Sequence, residues 1–236
     1  MSTSGILYLI PAPLAEGPLI NTLPEATLAL ILRLRCFVVE ELRTGRRYLS
    51  SAGLKGQLDD LLFFVLNEHT DPAALDSMLQ PLLEGRDVGL LSEAGLPAVA
   101  DPGAALVALA HQKGIKVVPL VGPSSLMLAL MASGLNGQSF AFAGYLPVQP
   151  LERKATIRQL EKRSMQENQT QIFIETPYRN MALFEAILEV CAPQTRLCIA
   201  ANLTAADAFI ATRTIGQWRC TAVPPVHKVP AVFVLG

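Results

Sequence analysis

The chain has 236 residues, of which 51% are hydrophobic and 17% charged, and 19 Lys+Arg against 20 Asp+Glu leave a formal net charge of −1. This composition excludes an intrinsically disordered chain, and the near-neutral balance excludes a global pull toward nucleic acid, which would have to be bound by local patches. The length is ample for one large or two modest cores.

Cys36, Cys191, Cys198 and Cys220 show no C-x-x-C spacing, so reduced thiols and a cytoplasmic location are expected. His69, His111 and His227 lie too far apart in sequence to suggest a metal centre. Residues 117–151 contain no charge, but Pro119, Gly122, Pro123, Gly134, Asn136, Gly137 and Gln138 interrupt them, so no continuous apolar span of about 20 residues exists and no membrane partner is expected.

Residues 5–10 read as the first strand, which Pro11-Ala12-Pro13 ends. Pro24 opens a helix over 25–35. Cys36-Phe37-Val38-Val39 is a strand running directly into Glu40-Glu41-Leu42-Arg43. Carboxylates beside an arginine at a strand end can orient a polar substrate; acidic residues can equally open a solvated helix, and both readings stand. Arg43, Arg46 and Arg47 form the densest positive cluster of the N-terminal half. Residues 61–66 form a strand, followed by His69, a candidate proton shuttle, and by an amphipathic helix over 73–83.

The chain is organised around residues 87–133. Val88-Gly89-Leu90-Leu91 suits a buried parallel strand. It ends in Ser92-Glu93-Ala94-Gly95-Leu96-Pro97, where a glycine lets the backbone approach a ligand. After Asp101-Pro102-Gly103 comes a helix stopped by Gly114, then a strand over 115–120, then Gly122-Pro123-Ser124-Ser125 and a second apolar helix ending at Gly134. Both loops fall at the carboxyl ends of parallel strands, where open sheets bind ligands. Further on, residues 139–147 alternate small and aromatic side chains, the pattern of a strand packed on both faces. Residues 152–163 form a helix with Lys154, Arg158 and Lys162 on one face. A strand over 171–174 enters Glu175-Thr176-Pro177-Tyr178-Arg179, a helix covers 180–190, and a strand over 197–200 runs into Ala201-Asn202-Leu203-Thr204. Residues 208–214 and 231–235 complete a second sheet.

SEAGLPAVADPG, then VPLVGPSS, then SGL resembles the tetrapyrrole methylase superfamily of S-adenosylmethionine-dependent methyltransferases. Within it the likeness is to ribosomal RNA small-subunit methyltransferase I, whose first loop reads Ser-Asp-Ala-Gly-Thr-Pro; Glu93 and Leu96 depart from it. Glu40-Glu41-Leu42-Arg43 is similar to that family's Glu-Asp-Thr-Arg, and Glu175-Thr176-Pro177-Tyr178-Arg179 to its Glu-Ser-Pro-His-Arg. Residues 200–205 lack the arginine, glutamate and lysine of the corresponding Ala-Arg-Glu-Leu-Thr-Lys. The resemblance implies two α/β domains, 1–121 and 122–236, with a cofactor cleft between them, and S-adenosylmethionine as methyl donor. It implies cofactor contacts at Pro11, Ser92, Glu93, Ala94, Gly95, Val99, Asp101, Pro102, Ser124, Ser125, Tyr145, Ala201 and Leu203, and no metal. Candidate catalytic residues are Glu40, Arg43, Glu175 and Arg179, with Glu41 and His69 as further possible bases. The implied acceptor is ribosomal RNA and the implied assembly a homodimer. A tetrapyrrole, corrin or other small-molecule methyltransferase and an inactive S-adenosylmethionine-binding scaffold are the alternatives.

Overall fold

Residues 4–236 are described by the computed structural model, in two units that divide after Ser124. The first unit is built on five strands: β1 (Ile6–Ile10), β2 (Cys36–Val39), β3 (Leu62–Val65), β4 (Val88–Leu91) and β5 (Lys116–Pro119). They lie in the order β3-β2-β4-β1-β5, and every neighbouring pair is parallel. An all-parallel sheet must be covered on both sides, and the continuous apolar runs of β2 and β4 are buried throughout. Alternation along each strand splits the core. Ile10, Phe37, Val39 and Leu91 pack with Ile31 and Leu49, from helices α1 (Glu25–Ile31) and α2 (Leu42–Leu49). Leu7, Val38, Val88 and Leu90 pack with Met78, Leu79 and Leu82 of α3 (Leu75–Leu83) and with Leu106 and Ala110 of α4 (Gly103–Gln112). Pro119, which has no N–H for a ladder, sits on the β5 edge where none is needed.

Two helix boundaries differ from the sequence reading. The helix expected over 25–35 stops at Ile31, after which the Arg33 and Leu34 N–H groups turn back three residues to the Leu30 (3.0 Å) and Ile31 (3.2 Å) carbonyls, and the Arg35 guanidinium takes up the carbonyls of Leu32 (2.9 Å) and Leu34 (2.8 Å) just before β2 begins. The helix expected from residue 73 begins as a single tight turn, Pro72–Ala74, capped by the Asp71 carboxylate, and becomes α-helical at Leu75.

The second unit holds β6 (Phe140–Tyr145), β7 (Thr170–Ile174), β8 (Arg196–Ala201), β9 (Phe209–Thr214) and β10 (Ala231–Leu235), in the order β6-β7-β10-β8-β9. Only the β6–β7 pair is parallel. On one face Phe173 and Phe233 stack at 6.0 Å over a core shared with α6 (Pro150–Glu167) and α7 (Asn180–Val190). Trp218 closes that core, its indole N–H donating to the Leu197 carbonyl at 2.9 Å. It is carried by α8 (Ile215–Arg219), a helix the sequence reading passed over although Thr214 and Gln217 form its capping box. The apolar helix α5 (Ser125–Ser133) packs on β8, β9 and β10.

The strand expected to be packed on both faces is instead an edge. Phe140 is 40% exposed and Tyr145 55% exposed, since β6 has a neighbour on one side only. Small–aromatic alternation is equally compatible with either position, so periodicity alone misassigned it.

Gly89 sits mid-sheet on β4, where an added Cβ would lie 2.5 Å from Ile10 Cδ1 and 3.0 Å from Phe37 Cδ1. Gly89→Ala is therefore expected to destabilise the first unit by about 1–3 kcal/mol through overpacking, read as a lowered urea midpoint with an unchanged slope.

Candidate functional site

The loops after β1 and β4 leave from adjacent strands toward opposite sides. The chain after β1 crosses to β2 beyond β4, whereas the chain after β4 crosses to β5 beyond β1. That reversal is the switch point at which open parallel sheets bind ligands. Here the two loops are tied together: Ala12 N–H donates to the Gly95 carbonyl at 2.8 Å, and Gly95 N–H to the Ala12 carbonyl at 3.0 Å. Gly95 has φ +72°, which glycine adopts freely and a side chain resists. Tyr48 of α2 donates its hydroxyl to the Pro11 carbonyl at 3.0 Å. The loop after β5 joins them, because Gly122 lies so close to the Pro11 ring that a Cβ there would overlap it.

The continuation of the β4 loop is strained. Ala98 (φ +65°) and Ala100 (φ +59°) both occupy the left-handed region, at a cost of about 1–2 kcal/mol each. Asp101 holds this shape: one carboxylate oxygen accepts from Ala98 N–H (2.8 Å) and from Gly103 N–H (2.7 Å), the latter opening α4. Nothing in the sequence marks these alanines, since alanine has no preference for that region.

Carboxylates gather at this end of the sheet. Burial pushes the Glu40 carboxyl up, and the charges of Asp101, Glu93 and Glu68 push it further, against a backbone N–H from Glu93. Burial also raises Glu93 and Asp101. Glu41 is different: it caps α2, accepting from Arg43 N–H (3.0 Å) and Thr44 N–H (2.7 Å), and these bonds with the Thr44 hydroxyl hold it below the usual range. Of the two readings of the Glu-Glu pair, the helix cap is therefore Glu41's and the charged cluster is Glu40's. His69 is exposed beside Glu68, away from any buried network.

Within the first unit, Pro11, Ser92, Glu93, Ala94, Gly95, Val99, Asp101, Pro102 and Ser124 all belong to these carboxyl-end loops, and Glu40 and Arg43 to the adjoining end of β2. Ser92 is buried, whereas Val99 is 43% exposed. Among the second-unit candidates, Ser125 opens α5, while Tyr145, Glu175 and Ala201 stand at the carboxyl ends of β6, β7 and β8. Leu203 is buried in the loop that follows β8, where Asn202 (φ +49°) and Thr204 (φ +72°) are left-handed. Glu175 is sealed: one oxygen takes Thr176 N–H (2.7 Å) and the Arg179 guanidinium (2.9 and 2.6 Å), and its side chain has no exposed surface. Arg46 is held by Asp59 at 2.6 Å and Lys154 by Glu189 at 2.6 Å, so neither offers the free charge that the basic clusters suggested.

Among the described residues no helix is long and apolar enough to cross a membrane, and no group of three or more His, Cys, Asp or Glu side chains is arranged to hold a metal ion. An all-parallel sheet with a tied switch-point loop pair, followed by a mixed five-stranded sheet, defines the class. Residues 64–218 match the model of the tetrapyrrole (corrin/porphyrin) methylases, and the chain belongs to that family. Methyltransferases of this family use S-adenosylmethionine as methyl donor. Its curated relatives are narrower in kind. The chain is similar to ribosomal RNA small subunit methyltransferase I of Neisseria meningitidis, at 32% identity over 90% of this chain and 69% of the relative. It is also similar to the Vibrio cholerae protein of that name, at 31% identity over 84% of this chain and 65% of the relative. Among solved structures, the methyltransferase CobJ shares the fold with a TM-score of 0.65 and 17% identity, covering 99% of this chain and 94% of that one. Uroporphyrin-III-C-methyltransferase from Thermus thermophilus does so with a TM-score of 0.56 and 20% identity, covering 98% and 92%.

The raised Glu40 gives a test with a definite sign. Its carboxyl binds a proton more tightly in the native state than at its ordinary value of 4.5, so the stability it lends is full below that value and is lost as pH rises through the raised one. Glu40→Gln is expected to melt higher than wild type at neutral pH by a degree or two, about 0.5 kcal/mol for a partly exposed charge, with the gap closing on acidification.

Proposed function

We propose that this chain transfers the methyl group of S-adenosylmethionine to ribosomal RNA, at a hydroxyl such as the ribose 2′-OH. The observation that carries the cofactor half is the tied pair of backbone loops at the β1/β4 switch point with carboxylates beside it. The closely held backbone of the Ser92–Pro97 and Gly122–Ser124 segments suits a ligand recognised by its shape, and Glu40, Glu93 and Asp101 suit one that carries positive charge. S-adenosylmethionine fits on both counts, and when bound it supplies an electrophilic methyl carbon on a cationic sulfur. The neutral thioether product lacks that charge, so the same carboxylates hold it less firmly and favour its exchange.

Attack by a hydroxyl requires a base. Glu40 is the carboxyl suited to that role: it is partly exposed, and burial among like charges lifts its proton affinity toward the working range. Glu175 is assigned instead to positioning Arg179 and the turn between them. The ribosomal RNA half of the proposal rests on the relatives.

The test uses purified protein, labelled S-adenosylmethionine and small ribosomal subunits from cells lacking this gene. Label entering the RNA is expected with wild type, falling at least tenfold in kcat with Glu40→Gln. Gly95→Val is expected to abolish cofactor binding by calorimetry while the circular dichroism stays native. A protein that binds the cofactor but labels no RNA would sink the acceptor assignment and leave a small-molecule methyltransferase or an inactive binder. Unchanged binding in a folded Gly95→Val would remove the β4 loop from the site.

A further inference from the structure

The opposite, amino-terminal rim of the first sheet carries a second surface that the proposed reaction does not use. A recess of ≈ 530 Å³ there is lined by Tyr8, Leu30, Leu34, Arg33, Arg35 and Arg86, with Asp87 and Cys36 at its base. A second recess of ≈ 440 Å³, walled by Leu62, Phe64 and Pro81 with Ser77, Gln80 and Asp76, shares Arg86 with the first. Tyr8 packs on the α1 and α2 side of the sheet and Phe64 on the α3 and α4 side, so the two are separate troughs on opposite faces, and Arg33 and Arg35 line the first.

The charges of both troughs are accounted for one by one. Arg35 spends one guanidinium nitrogen on the carbonyls of Leu32 and Leu34, which leaves its positive charge unneutralised. Arg33 is exposed and forms no ion pair among the described residues. Arg86 reaches Glu84 at 2.7 Å. Of the acids, Asp87 accepts the backbone N–H of Ile6 at 2.8 Å, and Asp76 faces Lys113 at 4.0 Å. Two guanidiniums thus remain without a carboxylate partner, and both line the recess that holds Tyr8. The other end of the same sheet carries Glu40, Glu41, Glu68, Glu93 and Asp101, with Arg43 and Arg47 beside them on α2.

Guanidiniums for phosphates and aromatic faces for bases are the elements by which proteins hold single-stranded nucleic acid. We propose that the first trough binds the phosphodiester backbone of a single-stranded RNA segment, separate from the reacting nucleotide, with Arg33 as its principal free contact. The choice of RNA over a free nucleotide phosphate rests on the function proposed above; the phosphate recognition itself does not.

Binding of a labelled 12-nucleotide single-stranded RNA to the full chain is followed by fluorescence anisotropy across a salt series. Arg33→Ala is expected to lower the slope of log K against log salt by about one unit, and Arg33→Glu to weaken binding about tenfold. Both variants should keep the wild-type melting temperature and wild-type S-adenosylmethionine affinity, since Arg33 is exposed and lies at the far end of the sheet. An RNA affinity and slope unchanged by either variant, or no RNA binding by wild type, overturns the proposal. Adenosine monophosphate that displaces the RNA at equal concentration, with the same dependence on Arg33, would instead identify a free-nucleotide site and overturn the RNA assignment. Failure of the methyl-transfer reading is separately visible, as loss of labelling or of cofactor binding in wild type.

Discussion

The carboxyl end of the first sheet is organised by a two-hydrogen-bond bridge between Ala12 and Gly95. A parallel sheet whose crossovers reverse at the β1/β4 boundary would otherwise let its two central loops splay to opposite faces. The bridge turns that parting into a fixed edge of backbone. Everything else at this end is arranged to permit it: a left-handed glycine, a proline whose carbonyl is anchored by Tyr48, and a second glycine small enough to let the β5 loop lie against that proline. Because the bridge is made of main-chain groups, side chains in SEAGLP can change without dismantling it. Glu93 and Leu96 are side chains of this kind.

The carboxylates beside the bridge oppose one another, and their cost is borne by a sheet buried on both faces. Glu40, Glu93 and Asp101 are all raised, whereas an arrangement selected for stability alone would pair them with arginines. Asp101 illustrates the balance: the oxygen that suffers from burial also holds Ala98 and the start of α4. One left-handed alanine, Ala98, is thus held by the atom that also opens α4, and local strain of this sort is found where a loop must present a particular surface.

The strands that organise the fold were legible because burial on both faces writes itself as short apolar runs; Cys36–Val39, Val88–Leu91 and Ala231–Leu235 fall where the sequence reading puts them. Helix ends were less legible, because the chain past Ile31 tightens into turns bonded three residues back while its residues keep the apolar spacing of the helix. The site was visible as loops at strand ends, and its chemistry was not. Glu40 and Glu41 are neighbours in sequence with opposite shifts, and only the direction of each side chain relative to α2 distinguishes a cap from a member of the acidic cluster. The edge position of β6 was invisible for a different reason: strand order is a long-range property that no local window contains.

The net charge of −1 conceals a separation. Glu40, Glu93 and Asp101 crowd one end of the first sheet while Arg33 and Arg35 stand without a carboxylate partner at the other, so part of that unit's charge is separated along its strands. A nearly neutral body of this kind is not drawn toward a polyanion so much as turned by it, arriving with one pole leading and the other held in reserve. The torque acts over a Debye length, about 8 Å at physiological ionic strength, so alignment belongs to the last moments of an encounter rather than to the search that precedes it.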